Sequence, residues 1–545
     1  MSDPRDPIII EGDEQSRVDP ALPDAGLPPA VGVQSFQVFR ASRDVRADRG
    51  LGWTYHHHVD MACWRGRLYV GWNSCEKDED VWPSREWYST SMDGANWSDP
   101  IEMFPQGLST PLRMYFFHAP NGRALMIAGL RPDTSNTDED TKGGLIVREI
   151  RPDHSLGEIY ALRRVSDLAE RLPMFQRSRD EGFLEACNQL LANRPFLEQQ
   201  DRGRLLGERR MKWHDPANWP GGKVPGDSDK WVAGKAYSLF RRPDGILVGV
   251  SKMGWITTSA DDGETWTQPV VPPTLVTGKA KVWSQRTADG RYAMIYNPSS
   301  RNRFPLVIVT GDDGIHYGNM RIVQGELPIQ RYQGIFRSIG PQYTRGISMW
   351  SDDDSRPHDQ CMWLVYSMNK EDIWVSRVPL PVKSDETETV EDDFARFANG
   401  TTIPHWNTYC PKWCRVEIES GSLLLERRDP YDYPVATRVF PEAKAVAATF
   451  TVEAAQGAPA LEVEVLSKFG SIVAGSVQVN RTGEFSLEAD VREGGVVVNR
   501  ISFRLGQQRG IGGTHPVPAG SDRPTDPVIY KIRNLRISHI SGRRS

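Results

Sequence analysis

The 545-residue sequence contains no apolar run that approaches the roughly 20 residues needed to span a bilayer. Its first residues lack the cationic start and apolar core of a secretory signal, so we expect a cytoplasmic protein. The net charge of −5 comes from interspersed acidic and basic residues, which leave no electrostatic footprint for nucleic acid or for an anionic membrane. We therefore predict that the partner is neither nucleic acid nor a membrane.

Cysteine is also scarce, with six residues scattered along the chain. Only Cys410 and Cys414 lie close together, in "CPKWC", and no second Cys/His pair follows at the spacing of a zinc site. Buried thiols are the better interpretation of these residues. We accordingly predict no metal and no cofactor.

The abundant residues indicate β structure. The 17 Trp, 39 Pro and 48 Gly suit a protein with many tight turns. From about residue 35 to 380, alternating apolar strands are joined by turns such as "PNG", "PDG" and "ADG", which are strong hairpin signals. The unit recurs about every 40–50 residues, which is typical of a β-propeller. We count five blades, and up to seven are possible if less regular segments contribute.

The chain divides into parts of different character. Residues 1–34 are rich in Pro and Asp and predict a flexible arm. The propeller at 35–380 is interrupted at about 161–230 by a helical insertion. An acidic linker occupies 381–392, and regular strand alternation predicts a β-sandwich over 393–545. The fold class is therefore all-β. The apolar stripe of the insertion is Leu184, Cys187, Leu190 and Leu191.

Three turns carry a related motif. The stretch "SADDGETW" at 259–266 places Ser, Asp, Gly, Thr and Trp as in the Asp-box, a hairpin turn of sialidases. Residues 310–317 repeat the pattern with Asp312 as the box aspartate, and residues 90–97 have Met92 in its place. The chain therefore resembles the sialidase-like propeller superfamily, and its C-terminal part resembles concanavalin-like accessory domains. The resemblance implies that these turns are structural and lie away from the catalytic centre.

The first innermost strand, "TYHHHVDMACW", carries three consecutive histidines. On a strand His56 and His58 point to one side and His57 to the other. Three interpretations stay open: a metal pair of His56 and His58 without an evident third ligand, a structural imidazole, and a catalytic or substrate-binding His57 or His58. The first blade is also similar to propeller glycosidases and lyases that cleave rhamnose–glucuronate linkages. That resemblance implies a catalytic histidine, either His57 or His58.

Further polar side chains fall near the predicted blade mouths. An acid such as Asp80 or Glu371 could protonate a leaving oxygen. Arginine grips a carboxylate through two hydrogen bonds, and aromatic rings cover sugar faces. The predicted substrate-binding residues are Arg85, Trp283, Gln285, Arg286, Asn297, Arg301, Arg337, Tyr343 and Arg345.

Together these features predict an exo-acting glycoside hydrolase that removes a terminal sugar from an acidic, uronate-containing oligosaccharide. One alternative is a uronate-specific lyase, in which arginine neutralises the carboxylate while His or Tyr takes the C5 proton. The other is a propeller that binds glycans without cleaving them. An oligosaccharide is the predicted partner in each case, and the sequence makes no prediction of the oligomeric state.

Overall fold

The structure, a computed structural model, describes most of the chain. The described residues are 8–44, 52–79, 81, 83–105, 111–130, 144–164, 172–200, 236–252, 254–267, 269–278, 280–300, 302–350, 359–470, 472–506, 516–518 and 520–540. Two predicted site residues, Asp80 and Arg301, lie outside them, as do residues 165–171 and 201–230 of the predicted insertion. Within the described residues, no helix is long and apolar enough to cross a membrane.

The first two thirds of the chain consist mainly of short buried strands. In chain order they are β1 (Ile9–Ile10), β2 (Gln34–Phe39), β3 (Tyr55–Trp64), β4 (Arg67–Cys75), β5 (Ser84–Ser91), β6 (Ile101–Glu102), β7 (Pro111–His118), β8 (Ala124–Leu130), β9 (Gly144–Ile150), β10 (Tyr160–Arg164), β11 (Ser238–Arg241), β12 (Leu247–Val250), β13 (Ile256–Ser259), β14 (Trp283–Arg286), β15 (Tyr292–Tyr296), β16 (Leu306–Gly311), β17 (His316–Gln324), β18 (Pro341–Gly346), β19 (Cys361–Met368) and β20 (Asp372–Pro379).

These strands form five antiparallel sheets that follow one another along the chain. Blades one, two and four are β3–β6, β7–β10 and β14–β17, blade three is β11–β13, and blade five is β18–β20 joined by β2. The first strand of each blade lies innermost, since β3 contacts β7 and β18 while β14 contacts β11 and β18. The described residues therefore form a propeller, as predicted, with five blades and no sixth or seventh among them.

The N-terminal segment is packed, contrary to the predicted flexibility. Strand β1 pairs in parallel with β17, with Ile9 opposite His316, and a short helix α1 (Glu14–Arg17) follows. Ile8 and Leu27 are buried in the apolar cluster shared by blades three and four. Isolated apolar residues of this kind have no periodicity that sequence analysis could detect. Each nevertheless contributes about 2 kcal/mol when it is buried.

The described part of the insertion is helical, as predicted, with α2 (Glu181–Ala192) followed by α3 (Arg194–Gln199). The buried residues of α2 are Phe183, Ala186, Cys187 and Leu190. Leu184 and Leu191 of the predicted stripe are only half-buried, so the apolar face is rotated slightly from the prediction. Helix α2 packs with the core of blade two, and α3 contacts β11 of blade three. The insertion therefore bridges two blades.

The C-terminal third is a β-sandwich, as predicted. Its strands are β21 (Glu391–Asp393), β22 (Trp406–Cys410), β23 (Cys414–Glu419), β24 (Ser422–Arg427), β25 (Val435–Ala443), β26 (Ala445–Gln456), β27 (Leu461–Ser467), β28 (Val473–Val479), β29 (Gly483–Asp490), β30 (Val498–Arg504) and β31 (Val528–His539). One sheet is β23-β24-β31-β26-β29, and the other is β22-β25-β30-β27-β28. Their facing sides bury an apolar core that includes Trp406, Phe450 and Phe503.

Strand β2 fuses the two domains, because it pairs antiparallel with β20 and parallel with β22. Next to β2, the buried Arg40 guanidinium lies 2.7 Å from a carboxylate oxygen of Asp429 and 2.7 Å from one of Asp522. The predicted acidic linker is also packed, since Glu386 is buried 3.1 Å from Arg438. Loss of one partner from such buried ion pairs is costly, so the sandwich braces the propeller firmly.

The turn at 259–266 is closed by hydrogen bonds from its own motif residues. Asp261 accepts from the backbone N–H of Thr265 at 2.9 Å and from the Thr265 hydroxyl at 2.6 Å. Trp266 is buried against blade three, where its indole N–H donates to the carbonyl of Gly263 at 3.2 Å. The tryptophan therefore anchors the turn to the core of the blade.

In the other two motif turns the aspartate directly before glycine has this role. Asp93 and Asp313 each accept the backbone N–H three residues ahead at 2.8 Å. The predictions that Met92 occupies the aspartate position and that Asp312 is the box aspartate are therefore wrong by one residue. Both turns are one residue shorter between aspartate and glycine than the turn at 259–266, and that shift caused the misalignment.

Candidate functional site

Three innermost strands break their pairing register at the propeller axis. The breaks lie in β3, β7 and β18, and the residues at them are His58, Arg113 and Tyr343. These residues have φ of +52°, +54° and +57°, a left-handed conformation that non-glycine residues seldom adopt. Bulges and such strained residues concentrate at functional sites, where they redirect side chains. The three breaks therefore mark the axis as the candidate site.

Tyr343 lies at the centre of this site and is almost completely buried. Its ring centroid is 4.1 Å from that of His57 and 5.4 Å from that of His58. Three cations surround the same ring: the Lys252 and Lys281 ammonium nitrogens at 4.9 and 5.3 Å from its centroid, and the Arg303 guanidinium carbon at 5.1 Å. Side chains from blades one, three and four thus surround the Tyr343 ring of blade five.

The cations change the acidity of that phenol. Burial opposes ionisation of Tyr343, but the Lys252 ammonium, which also hydrogen-bonds to it, and the Arg303 guanidinium outweigh burial and lower its pKa. A phenol with a lowered pKa supplies more phenolate near neutral pH. Phenolate is the form that acts as a nucleophile or as a base.

The two predicted catalytic histidines are both at the site and both uncharged near neutral pH. Burial, reinforced by the Lys370 ammonium, lowers the pKa of His57 well below its usual value, and burial lowers that of His58 to about 3. His57 Nδ1 lies 2.5 Å from Ser367 Oγ, while His57 Nε2 and His58 Nδ1 have no hydrogen-bond partner among the described residues. Imidazoles that are so hard to protonate are weak bases, so they suit hydrogen bonding to a ligand.

Glu79 links the histidines to a buried cation. Its Oε1 lies 3.3 Å from His58 Nε2, and its Oε2 lies 2.5 Å from Lys370 Nζ. Burial opposes the charge on Glu79, but the hydrogen bonds with His58 and Lys370 outweigh it and hold its pKa well below the usual range. Glu79 is therefore a permanent carboxylate and a poor proton donor.

Asp60 is a carboxyl of a different kind. Burial raises its pKa to about 6, although the Arg345 guanidinium opposes the shift. Its Oδ2 accepts the backbone N–H of Phe116 at 2.9 Å. Arg345 lies between the rings of Tyr115 and Trp283, at 5.6 and 5.7 Å from their centroids. Asp60 can therefore exchange a proton in the pH range where enzymes commonly work.

The structure gives no support for a metal. Among the described residues, no group of three His, Cys, Asp or Glu side chains is placed to hold an ion, so His56 and His58 lack a third ligand there. His56 instead lies 2.7 Å from Ser74 Oγ and 3.0 Å from the carbonyl of Trp53. All six cysteines are free thiols, and four of them are buried.

Of the remaining predicted residues, two hold neighbouring backbone segments of the site in place. Arg337 donates to the carbonyls of Thr54 and Lys370 at 2.8 and 2.9 Å. Glu371 is fully buried and accepts the backbone N–H groups of Arg331 and Tyr332 at 3.1 and 2.7 Å. This placement favours a structural role for Glu371 over the predicted proton transfer, even though burial raises its pKa to about 7.

Four predicted residues are engaged elsewhere. Asn297 donates to three backbone carbonyls, including that of Pro341 at 2.8 Å, so it holds loops together. Gln285 accepts from the Trp283 indole N–H at 2.7 Å, and Arg286 is exposed at the end of β14. Arg85 pairs with Glu102 at 3.4 Å in the outer part of blade one.

Sequence analysis places Glu79 and Lys370 in polar clusters near the blade mouths without predicting them as site residues, and it misses Lys252 and Arg303, although a signal for all four exists. Each of the four follows the second strand of its blade, namely β4, β12, β15 and β19. The loops after second strands lie at the end of the blade where the first strand begins. Charged residues at these corresponding positions could therefore have been predicted to lie together at one end of the propeller.

Comparisons with known proteins agree with this architecture. Residues 6–203 match a family model described as the N-terminal β-propeller of BT_1020-like proteins, and residues 406–498 match one described as a sialidase-like CBM domain. A solved structure titled "Sialidase" is 29% identical, with a TM-score of 0.83 over 98% of this chain. The chain has a sialidase-like fold.

This sialidase-like chain spans about half of that solved protein, 54% of its length. A Trypanosoma rangeli sialidase in complex with sialic acid is 10% identical over 94% of this chain and 96% of its own, with a TM-score of only 0.36. A likeness at that level carries no argument about residues or activity. No curated protein matches the sequence.

Proposed function

We propose that the protein is an exo-acting glycoside hydrolase that releases a terminal, carboxylate-bearing sugar from an oligosaccharide. The observation that carries this proposal is the Tyr343 phenol, held at the propeller axis among Lys252, Lys281 and Arg303. Its lowered pKa supplies a nucleophile, and the cations supply a binding site for an anion.

The arrangement favours an acidic sugar over a neutral one. Three cationic side chains lie within 5.3 Å of one ring centroid, and a substrate carboxylate would be attracted to them. Arginine and lysine differ in geometry, but both hold carboxylates through charge-assisted hydrogen bonds.

The chemistry proceeds in two displacements. First, the Tyr343 oxygen attacks the anomeric carbon while the bond from that carbon to the leaving oxygen breaks, and a carboxyl group gives its proton to that oxygen. Then water attacks the same carbon, returns a proton to the carboxylate, and displaces the tyrosine oxygen as phenolate. Retaining glycosidases follow this scheme. Asp60 is our first candidate for the proton donor, because it lies at the register break of β3 with His57 and His58 and its pKa is about 6; Asp80 keeps the role predicted for it.

The neutral histidines complete this assignment. His57 Nε2 and His58 Nδ1 have no hydrogen-bond partner among the described residues. Sugar hydroxyls are suitable partners, because a buried polar atom without a hydrogen bond is costly. We therefore assign both residues to substrate binding.

A lyase is the second candidate, because the same phenolate could take the C5 proton of a uronate while the cations neutralise its carboxylate. One experiment separates the two. The protein is incubated with a panel of oligosaccharides that end in uronic or ulosonic acids, and the products are separated by chromatography. A hydrolase releases a saturated sugar, whereas a lyase produces an unsaturated uronate with its own ultraviolet absorbance.

Matched tyrosine variants test the residue assignment. Tyr343→Phe removes only the phenol oxygen and should lower turnover by about a thousandfold or more. Tyr366→Phe is the control, because Tyr366 is also buried but hydrogen-bonds to Gln324 of blade four and Ser376 of blade five, between the two blades. Equal activity of the two variants would contradict the nucleophile assignment. Absence of any product across the panel would overturn the enzyme proposal in favour of a glycan-binding propeller.

A further inference from the structure

An exposed apolar pair lies beside the candidate site. Ile335 is 89% exposed and Phe336 is 55% exposed, and Ile335 is the most exposed large apolar side chain among the described residues. The pair lies in the connection from blade four to blade five, between β17 and β18. Apolar side chains that remain exposed next to a polar cleft often form part of a binding surface.

This pair is held in place by buried polar groups. The Phe336 backbone N–H donates to Asp78 Oδ2 at 3.0 Å, and its carbonyl accepts from Lys370 Nζ at 2.6 Å. The next residue, Arg337, donates to the carbonyls of Thr54 and Lys77 at 2.8 and 2.6 Å. The exposed side chains are therefore presented on a fixed backbone.

The same polar groups connect the pair to the site. Asp78, which holds Phe336 N–H, also accepts the backbone N–H of Glu79 at 2.8 Å. Lys370, which holds the Phe336 carbonyl, lies 2.5 Å from Glu79 Oε2. Glu79 in turn lies 3.3 Å from His58. The apolar pair therefore lies next to a polar network that leads to His58, whose ring contacts Tyr343.

We infer that Ile335 and Phe336 form a platform for the sugar on the leaving-group side of the scissile bond. The inference rests on the proposed function. Tyr343 is buried, so a terminal sugar that reaches it lies inward of the exposed pair, and the next sugar lies beside the pair. The C–H face of a sugar ring is apolar and can stack on a phenylalanine ring, while the charged groups behind the platform bind no neutral sugar strongly.

The platform therefore assigns a substrate class. It recognises an acidic sugar that is linked to a neutral sugar with an accessible C–H face or methyl group. A free acidic monosaccharide would use the cations alone. The platform should contribute affinity only for ligands that contain both sugars.

The test is a set of binding measurements by titration calorimetry, made in the Tyr343→Phe background so that no turnover interferes. The probes are two pairs: a glucuronosyl-rhamnose disaccharide with free glucuronic acid, and sialyllactose with free sialic acid. Phe336→Ala should weaken disaccharide binding about tenfold, as expected from the loss of some 50 Å² of apolar contact. It should change monosaccharide binding less than about twofold. Ile335→Ala should act in the same direction.

Val473→Ala is the matched control, because Val473 is 47% exposed on β28 of the sandwich. The inference is overturned if Phe336→Ala weakens both members of a probe pair equally, if Val473→Ala has the same effect, or if no probe binds. Selective loss of disaccharide binding supports it even if the native protein cleaves none of these probes. Absence of cleavage would overturn the hydrolase proposal and leave the inference about the platform standing.

Discussion

Replacing Lys252 by Met tests the electrostatic control of Tyr343. The substitution removes a charge 4.9 Å from the ring centroid and keeps most of the side-chain volume. By Coulomb's law a unit charge at this distance stabilises phenolate by about 3 kcal/mol at an effective dielectric constant near 20, and by about 1 kcal/mol in bulk water. Without Lys252, the phenolate population below the pKa should fall roughly fivefold to 160-fold.

The direction in which the pH profile of kcat/KM shifts depends on which protonation state of Tyr343 reacts. Phenolate is the reactive form, so activity rises with pH through the pKa of Tyr343. Loss of Lys252 removes a group that lowers this pKa. The acid limb of kcat/KM against pH should therefore move to higher pH, while the alkaline limb, which follows the proton donor, stays where it is.

An ultraviolet titration of Tyr343 measures the same pKa shift without a substrate. Phenolate absorbs in the near ultraviolet, and the difference between the native protein and Tyr343→Phe isolates the titration of one tyrosine among 16. Lys468→Met is the control, because Lys468 pairs with Glu442 on the sandwich. An unchanged Tyr343 titration in Lys252→Met, or a shift to lower pH, would refute the electrostatic argument.

Three further variants test other parts of the structure. Trp266→Ala should destabilise the protein by about 3–5 kcal/mol in urea unfolding, because it empties a buried site in blade three; a loss below about 1 kcal/mol would contradict the anchoring role. Asp60→Asn should abolish the fall of kcat/KM above about pH 6, because the donor must be protonated and its pKa is about 6; a persisting alkaline limb would exclude Asp60. Glu79→Gln should cost about 3 kcal/mol by leaving the Lys370 ammonium buried without its carboxylate, and Lys370→Met added to it should restore much of that loss; additive losses would argue against the pairing.

The blade architecture could be predicted from sequence because its signals are local. A hairpin needs a turn of particular residues between two alternating strands, and both fall within about 15 residues. The motif turns were found for the same reason, although Asp93 and Asp313 were misaligned. Their side chains accept amides three residues ahead, whereas Asp261 accepts one four residues ahead, and only the structure distinguishes these cases.

The packing of the N-terminal segment could not be predicted. Its apolar residues contact blades that lie hundreds of residues away in the sequence, as Ile9 does opposite His316. Composition predicts the conformation of an isolated segment, and a segment rich in Pro and Asp has little tendency to fold alone. The folded propeller provides a surface that changes this outcome. Such tertiary contacts leave no periodic trace.

The site was only partly predictable, because its geometry depends on bulges. Sequence alternation assigns His57 and His58 to opposite faces of an ideal strand. In the structure a positive φ at His58 breaks the alternation, and both rings lie within 5.4 Å of Tyr343. No residue preference marks these positions, since the residues with positive φ are His, Arg and Tyr rather than glycine. Strain of this kind is imposed by the surrounding strands.

The residues with strained backbone conformations are also residues whose side chains enter the candidate site. His58, Arg113 and Tyr343 come from blades one, two and five, which are neighbours around the axis, and each break redirects a polar side chain. Blades three and four instead supply Lys252, Lys281 and Arg303 from loops and strand starts without a bulge at the innermost strand. One side of the axis is therefore shaped by bulges and presents the phenol and imidazoles together with the Arg113 and Lys370 cations, while the other presents cations on regular blades. In the proposed reaction Lys252, Lys281 and Arg303 would hold the substrate carboxylate beside Tyr343, where the anomeric carbon reacts.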